Sequence, residues 1–237
     1  MRKRILLGLS LLAVIFVANA QSDDIEPVIL QGKNAFYVGP KIGLTLTSMG
    51  QPEGCNLYGG SGLGFSGGVA GKIRFGKATP NSPAGTGLLG IGLELKYKQN
   101  TVKTLGFDED GKENAKLSIG YFEVPLSVQL YPFAKVSSLN TLYIEVGPSI
   151  AGTMSKKPKS LQVNNPSPEW EYIKYKTEDL KGFDVRVLAG LGYTIPGTGL
   201  DINARYYLGT SKLAKNFSSK MNTFEVSLSW MFNVGSF

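Results

Sequence analysis

Glu123 and Glu145 are the side chains in this sequence best suited by type to acid–base chemistry, each lying in an alternating stretch, "FEVPLSVQL" and "YIEVGPSI". A carboxylate pair can serve as general acid and base where its surroundings bring it toward neutrality. The usual base for a hydroxyl or water nucleophile is histidine, and this chain has none. The plainer reading is that both carboxylates are counter-ions. They share one phase of the alternation with ten other charges, giving the set Lys41, Lys72, Arg74, Glu94, Lys96, Glu123, Glu145, Asp184, Arg186, Asp201, Arg205 and Glu225, six of each sign. A mutually satisfied structural network is expected of them, because an unpaired charge in a narrow interior is costly. No catalytic residue and no cofactor is assigned. Cys55 is the only cysteine, so neither an internal disulfide nor a metal site of Cys and His can be assembled.

Strands must place those charges. In "GYFEVPLSVQL", Gly120 to Leu130, Phe122, Val124, Leu126, Val128 and Leu130 share one phase and Glu123, Pro125, Ser127 and Gln129 the other, since successive side chains leave opposite faces of a strand. The upstream residues Leu117, Ile119 and Tyr121 are out of phase with that apolar set, which predicts a bulge near Tyr121. The same alternation recurs over about 36–47, 63–75, 89–98, 142–150, 183–193, 200–208 and 223–232. Eight such segments predict an all-β fold, an eight-stranded antiparallel transmembrane β-barrel of the outer-membrane type. Counted from the ends of the alternation, every odd-numbered connector is at least as long as every even-numbered one. One barrel end should therefore carry long loops and the other short turns.

Whether the apolar phase meets lipid or a protein core decides the class, and three features favour lipid. The polar phase is rich in Gly, Ser and Ala, which suit the crowded inside of a narrow barrel. It also holds charges of both signs at mid-strand, which can neutralise one another. Aromatics gather at both ends of the apolar phase: Phe36, Phe75, Tyr193, Trp230 and Phe232 on the short-turn side, and Phe65, Tyr97, Phe122, Phe183, Tyr206 and Phe224 on the long-loop side. Two girdles of this kind match the two headgroup layers of a bilayer. The alternative is a soluble periplasmic lipocalin-like binding barrel with its apolar face turned inward.

The N-terminus supports export. "MRKRILLGLSLLAVIFVANAQS" has a basic start, an apolar run from Ile5 to Ala18, and Ala18-Asn19-Ala20 ahead of Gln21, the pattern of a cleaved signal peptide over 1–20. The run is too short to cross ~30 Å of hydrocarbon as a helix. A periplasmic N-terminal tail over 21–33 then leads into a barrel over 34–237. Cleavage would leave 22 Lys and Arg against 18 Asp and Glu, too mild a balance to argue for nucleic acid.

The stretch "GYFEVPLSVQLYPF" resembles the aromatic-Glu-aliphatic-Pro-Leu strand of the PorT-like outer membrane β-barrel family of Gram-negative bacteria, and "YIEVGPSIAG" and "FEVSLSWMF" are similar to the strands that follow it. The resemblance covers roughly 34–237. It implies an eight-stranded barrel in the cell outer membrane, in a family of which some members are tied to secretion and gliding machinery. The end "FNVGSF" resembles the signal read by the barrel-assembly machinery, although Phe237 is out of phase with Phe232.

An eight-stranded interior is just wide enough for side chains to fill, which argues against a diffusion pore. A non-enzymatic envelope scaffold or partner-binding barrel is therefore expected, with a narrow ion-conducting pore as the alternative. Its expected partners are outer membrane lipid, the assembly machinery, and an unidentified envelope protein or lipopolysaccharide. The longest connector offers a contact surface for the last of these in Lys156, Lys157, Lys159, Trp170, Tyr172 and Tyr175, where basic groups could meet phosphates and aromatics a protein. The protein recovered from an envelope preparation should begin at Gln21 by N-terminal mass spectrometry, and recovery as a soluble periplasmic monomer would refute the export reading.

Overall fold

The structure, a computed structural model, describes residues 34–50, 58–76, 87–107, 110–111, 113–136, 139–164, 172–176, 180–213 and 219–236. The expected signal peptide (1–20), the whole of the expected tail (21–33), Cys55, Trp170 and Phe237 lie outside these residues. Eleven strands follow one another: β1 (Ala35–Met49), β2 (Tyr58–Arg74), β3 (Leu89–Thr104), β4 (Lys116–Leu130), β5 (Leu142–Lys157), β6 (Ser160–Asn164), β7 (Tyr172–Lys176), β8 (Phe183–Thr194), β9 (Leu200–Gly209), β10 (Met221–Trp230) and β11 (Phe232–Ser236).

Eight of them form an antiparallel circle in the order β10, β9, β8, β5, β4, β3, β2, β1, and β1 closes it by pairing with β10 from Met49↔Met221 to Lys41↔Ser229. β11 continues the last stave, taking over the edge of β1 from Val38↔Phe232 to Ala35↔Ser236. Where β10 gives way to β11 the two backbones approach so closely that a Cβ at Gly39 would strike the Trp230 carbonyl. Closure is what lets strands stand in hydrocarbon, because no edge is left with unpaired N–H and C=O groups. Prolines interrupt the ladder where they must. Pro125 offers no N–H, and the β3–β4 register passes from Leu93↔Leu126 to Lys96↔Glu123 around it.

Apolar side chains face outward and charges inward, the reverse of a lipocalin-like barrel. Leu126 is 45% exposed while its neighbour Ser127 is 2% exposed, and Leu44, Phe65, Leu93, Leu191, Ile202 and Val226 are exposed along the same belt. The girdle aromatics touch one another on this surface: Phe65 and Tyr97 have ring centroids 5.7 Å apart, and Trp230 stacks on Phe232 at 5.7 Å.

The strands outrun the alternation that marks them. β2, for example, begins at Tyr58, so the first connector shrinks to residues 50–57 while the second occupies 75–88. The expected ordering of connector lengths is therefore not observed. Backbone pairing needs no apolar partner, so it continues past the lipid belt, where the outward residues turn polar, as at Lys103 and Lys116. The 158–182 connection also contains a hairpin, β6 paired with β7, tied to the β3–β4 loop by reciprocal backbone bonds between Phe107 and Gln162 of 2.8 and 2.9 Å.

Leu117, Ile119 and Tyr121 are a second departure. They are buried and stay in phase with Glu123, pointing into the barrel instead of out to lipid. A register irregularity does lie between Gly120 and Tyr121, but the additional residue, Met154, is on β5, between Thr153 and Ser155. Leu126→Arg, which sets a charge on the outward belt, should lower unfolding free energy in lipid vesicles by roughly 2–4 kcal/mol if that site lies near the bilayer midplane. A greater loss from Ser127→Arg would reverse the facing.

Candidate functional site

The interior of the barrel is stratified. The first and last described residues, Asn34 and Ser236, share one end, the terminus end, with the strand ends joined by connectors 75–88, 131–141 and 195–199; the strand ends joined by the other four connectors lie at the opposite, loop end. Just inside the loop end lies an apolar plug of Met49, Val102, Ala115, Leu117, Ile119, Tyr121, Ala151, Leu213 and Met221. Beneath it the lumen is ionic. All twelve residues of the charge set are buried there, and so is Lys98, making seven cations and six carboxylates among the described residues.

Two balanced groups account for twelve of these thirteen. In the group nearer the plug, Lys96 Nζ lies 2.7 Å from Glu225, which also meets Lys98 at 3.2 Å. Lys98 reaches Glu123 at 3.2 Å, and Arg186 lies 3.6 Å from Glu123 and 2.7 Å from Asp184. Ser149 Oγ donates to Glu123 at 2.8 Å, and Tyr207 accepts from Lys96 while Lys98 Nζ sits 3.1 Å from its ring centroid. In the second group, Glu94 receives Lys41 at 2.8 Å and Arg205 at 2.7 Å. Arg205 also forks onto Glu145, with Nε 2.6 Å from one oxygen and a terminal nitrogen 2.9 Å from the other, and Asn203 and Ser127 complete that carboxylate. Asp201 is held by Lys72 and Thr194, each at 2.6 Å, and by Tyr143 at 2.9 Å.

Arg74 stands apart. It lies at the terminus end, forms no ion pair among the described residues, and rests its guanidinium 3.9 Å from the Tyr131 ring centroid while Nε donates to the Gly87 carbonyl at 2.8 Å. Tyr131 packs on Tyr143 with centroids 5.5 Å apart. Burial raises the Tyr131 hydroxyl above its ordinary value, so it stays protonated and donates to Gln129 at 2.9 Å.

Glu123 and Glu145 share no partner: Glu123 meets Lys98, Arg186 and Ser149, and Glu145 meets Arg205, Asn203 and Ser127. Among the described residues no group of three or more His, Cys, Asp or Glu is placed to hold a metal ion. Lys98, Tyr143 and Tyr207 belong to the lumen although the charge set omits them. Their signal was the alternation itself, which puts all three on the polar phase. The plug gave no such signal, because its residues are apolar like the lipid-facing ones.

The loop residues are not gathered into one site. Lys156 belongs to β5 and donates to the Leu180 carbonyl at 2.5 Å, while Lys157 and Lys159 are exposed. Tyr172 and Tyr175 are placed only as backbone positions of β7.

A family model described as outer membrane protein beta-barrel domain matches residues 19–215. The chain belongs to that family. It is an outer-membrane β-barrel, and lipid is the medium of its outward belt. Solved structures similar to this chain include Neisserial surface protein A, at 12% identity over 83% of this chain and 97% of that chain with a TM-score of 0.41. Ail, the attachment invasion locus protein of Yersinia pestis, is 14% identical over 86% and 100% of the two chains, TM-score 0.36. OprG from Pseudomonas aeruginosa is 10% identical over 86% and 98%, TM-score 0.42. No curated protein sequence matches the chain.

The lumen of this family member can be tested one residue at a time. Arg205→Ala leaves Glu145 and part of Glu94 buried without a counter-charge and should cost roughly 3–5 kcal/mol in urea unfolding. Lys157→Ala, on an exposed side chain, should change stability by no more than about 0.5 kcal/mol.

Proposed function

We propose that this chain is a plugged, non-catalytic outer-membrane barrel that acts at its ends, as a scaffold meeting another component of the cell envelope. The observation that carries this reading is the filling of the lumen: among the described residues ion pairs join the inward faces of different strands, and an apolar cluster seals their loop end. Each lumen carboxylate already faces at least one cation, which leaves none of them poised to take a proton from a nucleophile. With the interior committed to packing, the surfaces left for recognition are the loops and the turns. Exposed Lys157 and Lys159 and the hairpin β6–β7 make the loop end the candidate for contact with lipopolysaccharide phosphates or an envelope protein.

The finer family reading follows from the Glu-x-Pro-Leu strand. Glu123, Pro125 and Leu126 match the PorT-like pattern, and the match supports a place in secretion or motility machinery for this scaffold. Export by a signal over 1–20, a periplasmic tail over 21–33 and delivery by the barrel-assembly machinery belong to the same reading, carried by the sequence pattern. The termini and connectors 75–88, 131–141 and 195–199 would then face the periplasm.

Planar-bilayer recording separates this scaffold from a narrow pore. The unmodified protein should insert without steady conductance steps. Persistent open-channel steps whose ion selectivity changes in Glu123→Gln or Arg186→Gln would promote the pore and overturn the scaffold.

A further inference from the structure

Among the described residues the lumen holds one more cation than it holds carboxylates, and the surplus is localised. Lys41, Lys72, Lys96, Lys98, Arg186 and Arg205 each meet at least one of the six carboxylates within 3.6 Å. Arg74 meets none. It is 1% exposed, and both terminal nitrogens of its guanidinium are without a hydrogen-bond partner among the described residues. Arginine stays protonated in proteins, so this charge cannot be relieved by losing a proton. A cation–π contact with Tyr131 and one bond to Gly87 offset only part of the cost of taking a guanidinium out of water.

The geometry leaves the other half of the group without a partner among the described residues. The guanidinium lies against the Tyr131 ring, and Nε is occupied by the Gly87 carbonyl, so the two terminal nitrogens form the unused fork. A planar fork of two N–H donors matches an oxyanion with two acceptor oxygens. The position is at the rim: Arg74 is the last residue of β2, and its cross-strand partner Ala35 is the first residue of β1, where the chain enters the barrel.

We propose that Arg74 is an oxyanion receptor at the terminus end of the barrel, pairing with one carboxylate or phosphate presented from that side. Two sources supply this chemistry. One is the chain itself, whose sequence carries Asp23, Asp24 and Glu26 shortly before Ala35, whereas the 77–86 connector carries no acidic residue. The other is a diffusible phosphate. Such a contact brings the buried charges of the lumen into balance and couples the barrel's stability to what occupies its terminus end.

The test uses the full protein purified in a phosphate-free, non-ionic detergent. Its melting midpoint is read by heat-modifiability as inorganic phosphate replaces chloride at constant ionic strength. A diffusible ligand predicts a saturable rise of several degrees in the unmodified protein that is absent in Arg74→Gln. A carboxylate from the chain predicts no response in the unmodified protein. In that case Asp23→Asn, Asp24→Asn, Glu26→Gln combined should melt lower and regain stability with phosphate. Should Arg74→Gln fail to fold, Arg74→Lys keeps the charge without the fork and should bind phosphate roughly tenfold more weakly, about one charge-assisted hydrogen bond. A response that persists in Arg74→Gln, is undiminished in Arg74→Lys, or is missing from both the unmodified protein and the triple variant overturns the proposal.

Discussion

A charge inside an eight-stranded barrel in lipid has nowhere to go except to a partner on another strand. The wall must be apolar outside, and the interior is only as wide as the side chains that fill it. Charges set on the polar phase of the strands are therefore driven together across the lumen, and their desolvation is offset only where donor and acceptor meet closely. The fork of Arg205 on Glu145 and the convergence of Lys96 and Lys98 on Glu225 are the consequence. Neutral groups add to what the ions supply. Ser127, Ser149, Thr194 and Asn203 place hydroxyl and amide donors on carboxylate oxygens that cations also contact.

These pairs are non-local, and that bears on how the barrel is specified. Lys96 lies on β3 and Glu225 on β10; Arg205 lies on β9 and Glu145 on β5. The strands of Lys96 and Glu225 are joined through the closing pair β1–β10, and those of Arg205 and Glu145 lie on either side of β8. A slip of one residue in any strand would carry its charges to the lipid face and its leucines into the lumen. Because desolvation cancels much of the attraction in a buried pair, the network discriminates between registers more than it adds net stability. The apolar plug complements it at the loop end, where Leu117, Ile119 and Tyr121 replace charges on the same inward phase of β4.

A barrel whose interior is committed in this way presents its ends as the surfaces outside both lipid and lumen. The loop end is built from strand extensions that continue hydrogen bonding beyond the lipid belt and from the β6–β7 hairpin latched to the β3–β4 loop at Phe107. Regular pairing carried out into solvent holds these segments in place relative to the membrane. At the terminus end the tilted rings of Tyr131 and Tyr143 floor the lumen, and Arg74 is a buried ion there with no carboxylate partner among the described residues. The two ends thus differ in kind, one closed by apolar packing and the other by aromatic rings with an arginine against them.

The strands, their number and their facing were legible in the sequence, because a side-chain period of two against lipid on one side and a crowded lumen on the other writes itself directly into residue order. Phe122 through Leu130 declared which face Leu126 and Glu123 would take. Pairing across the lumen was not legible. Alternation places Lys98 and Tyr207 on the inward face but says nothing about their height along the barrel axis, which depends on the register of every strand between them. The apolar plug was hidden for a different reason: leucine and isoleucine look the same in a sequence whether they meet lipid or one another, so Leu117 and Ile119 suggested a change of phase where there was a change of surroundings. Arg74 shows the same limit from the opposite side. Residue type and phase put it among the lumen charges, but only the positions of Asp201, Glu94 and the other carboxylates, fixed by the closed barrel, decided that it has no carboxylate partner among the described residues.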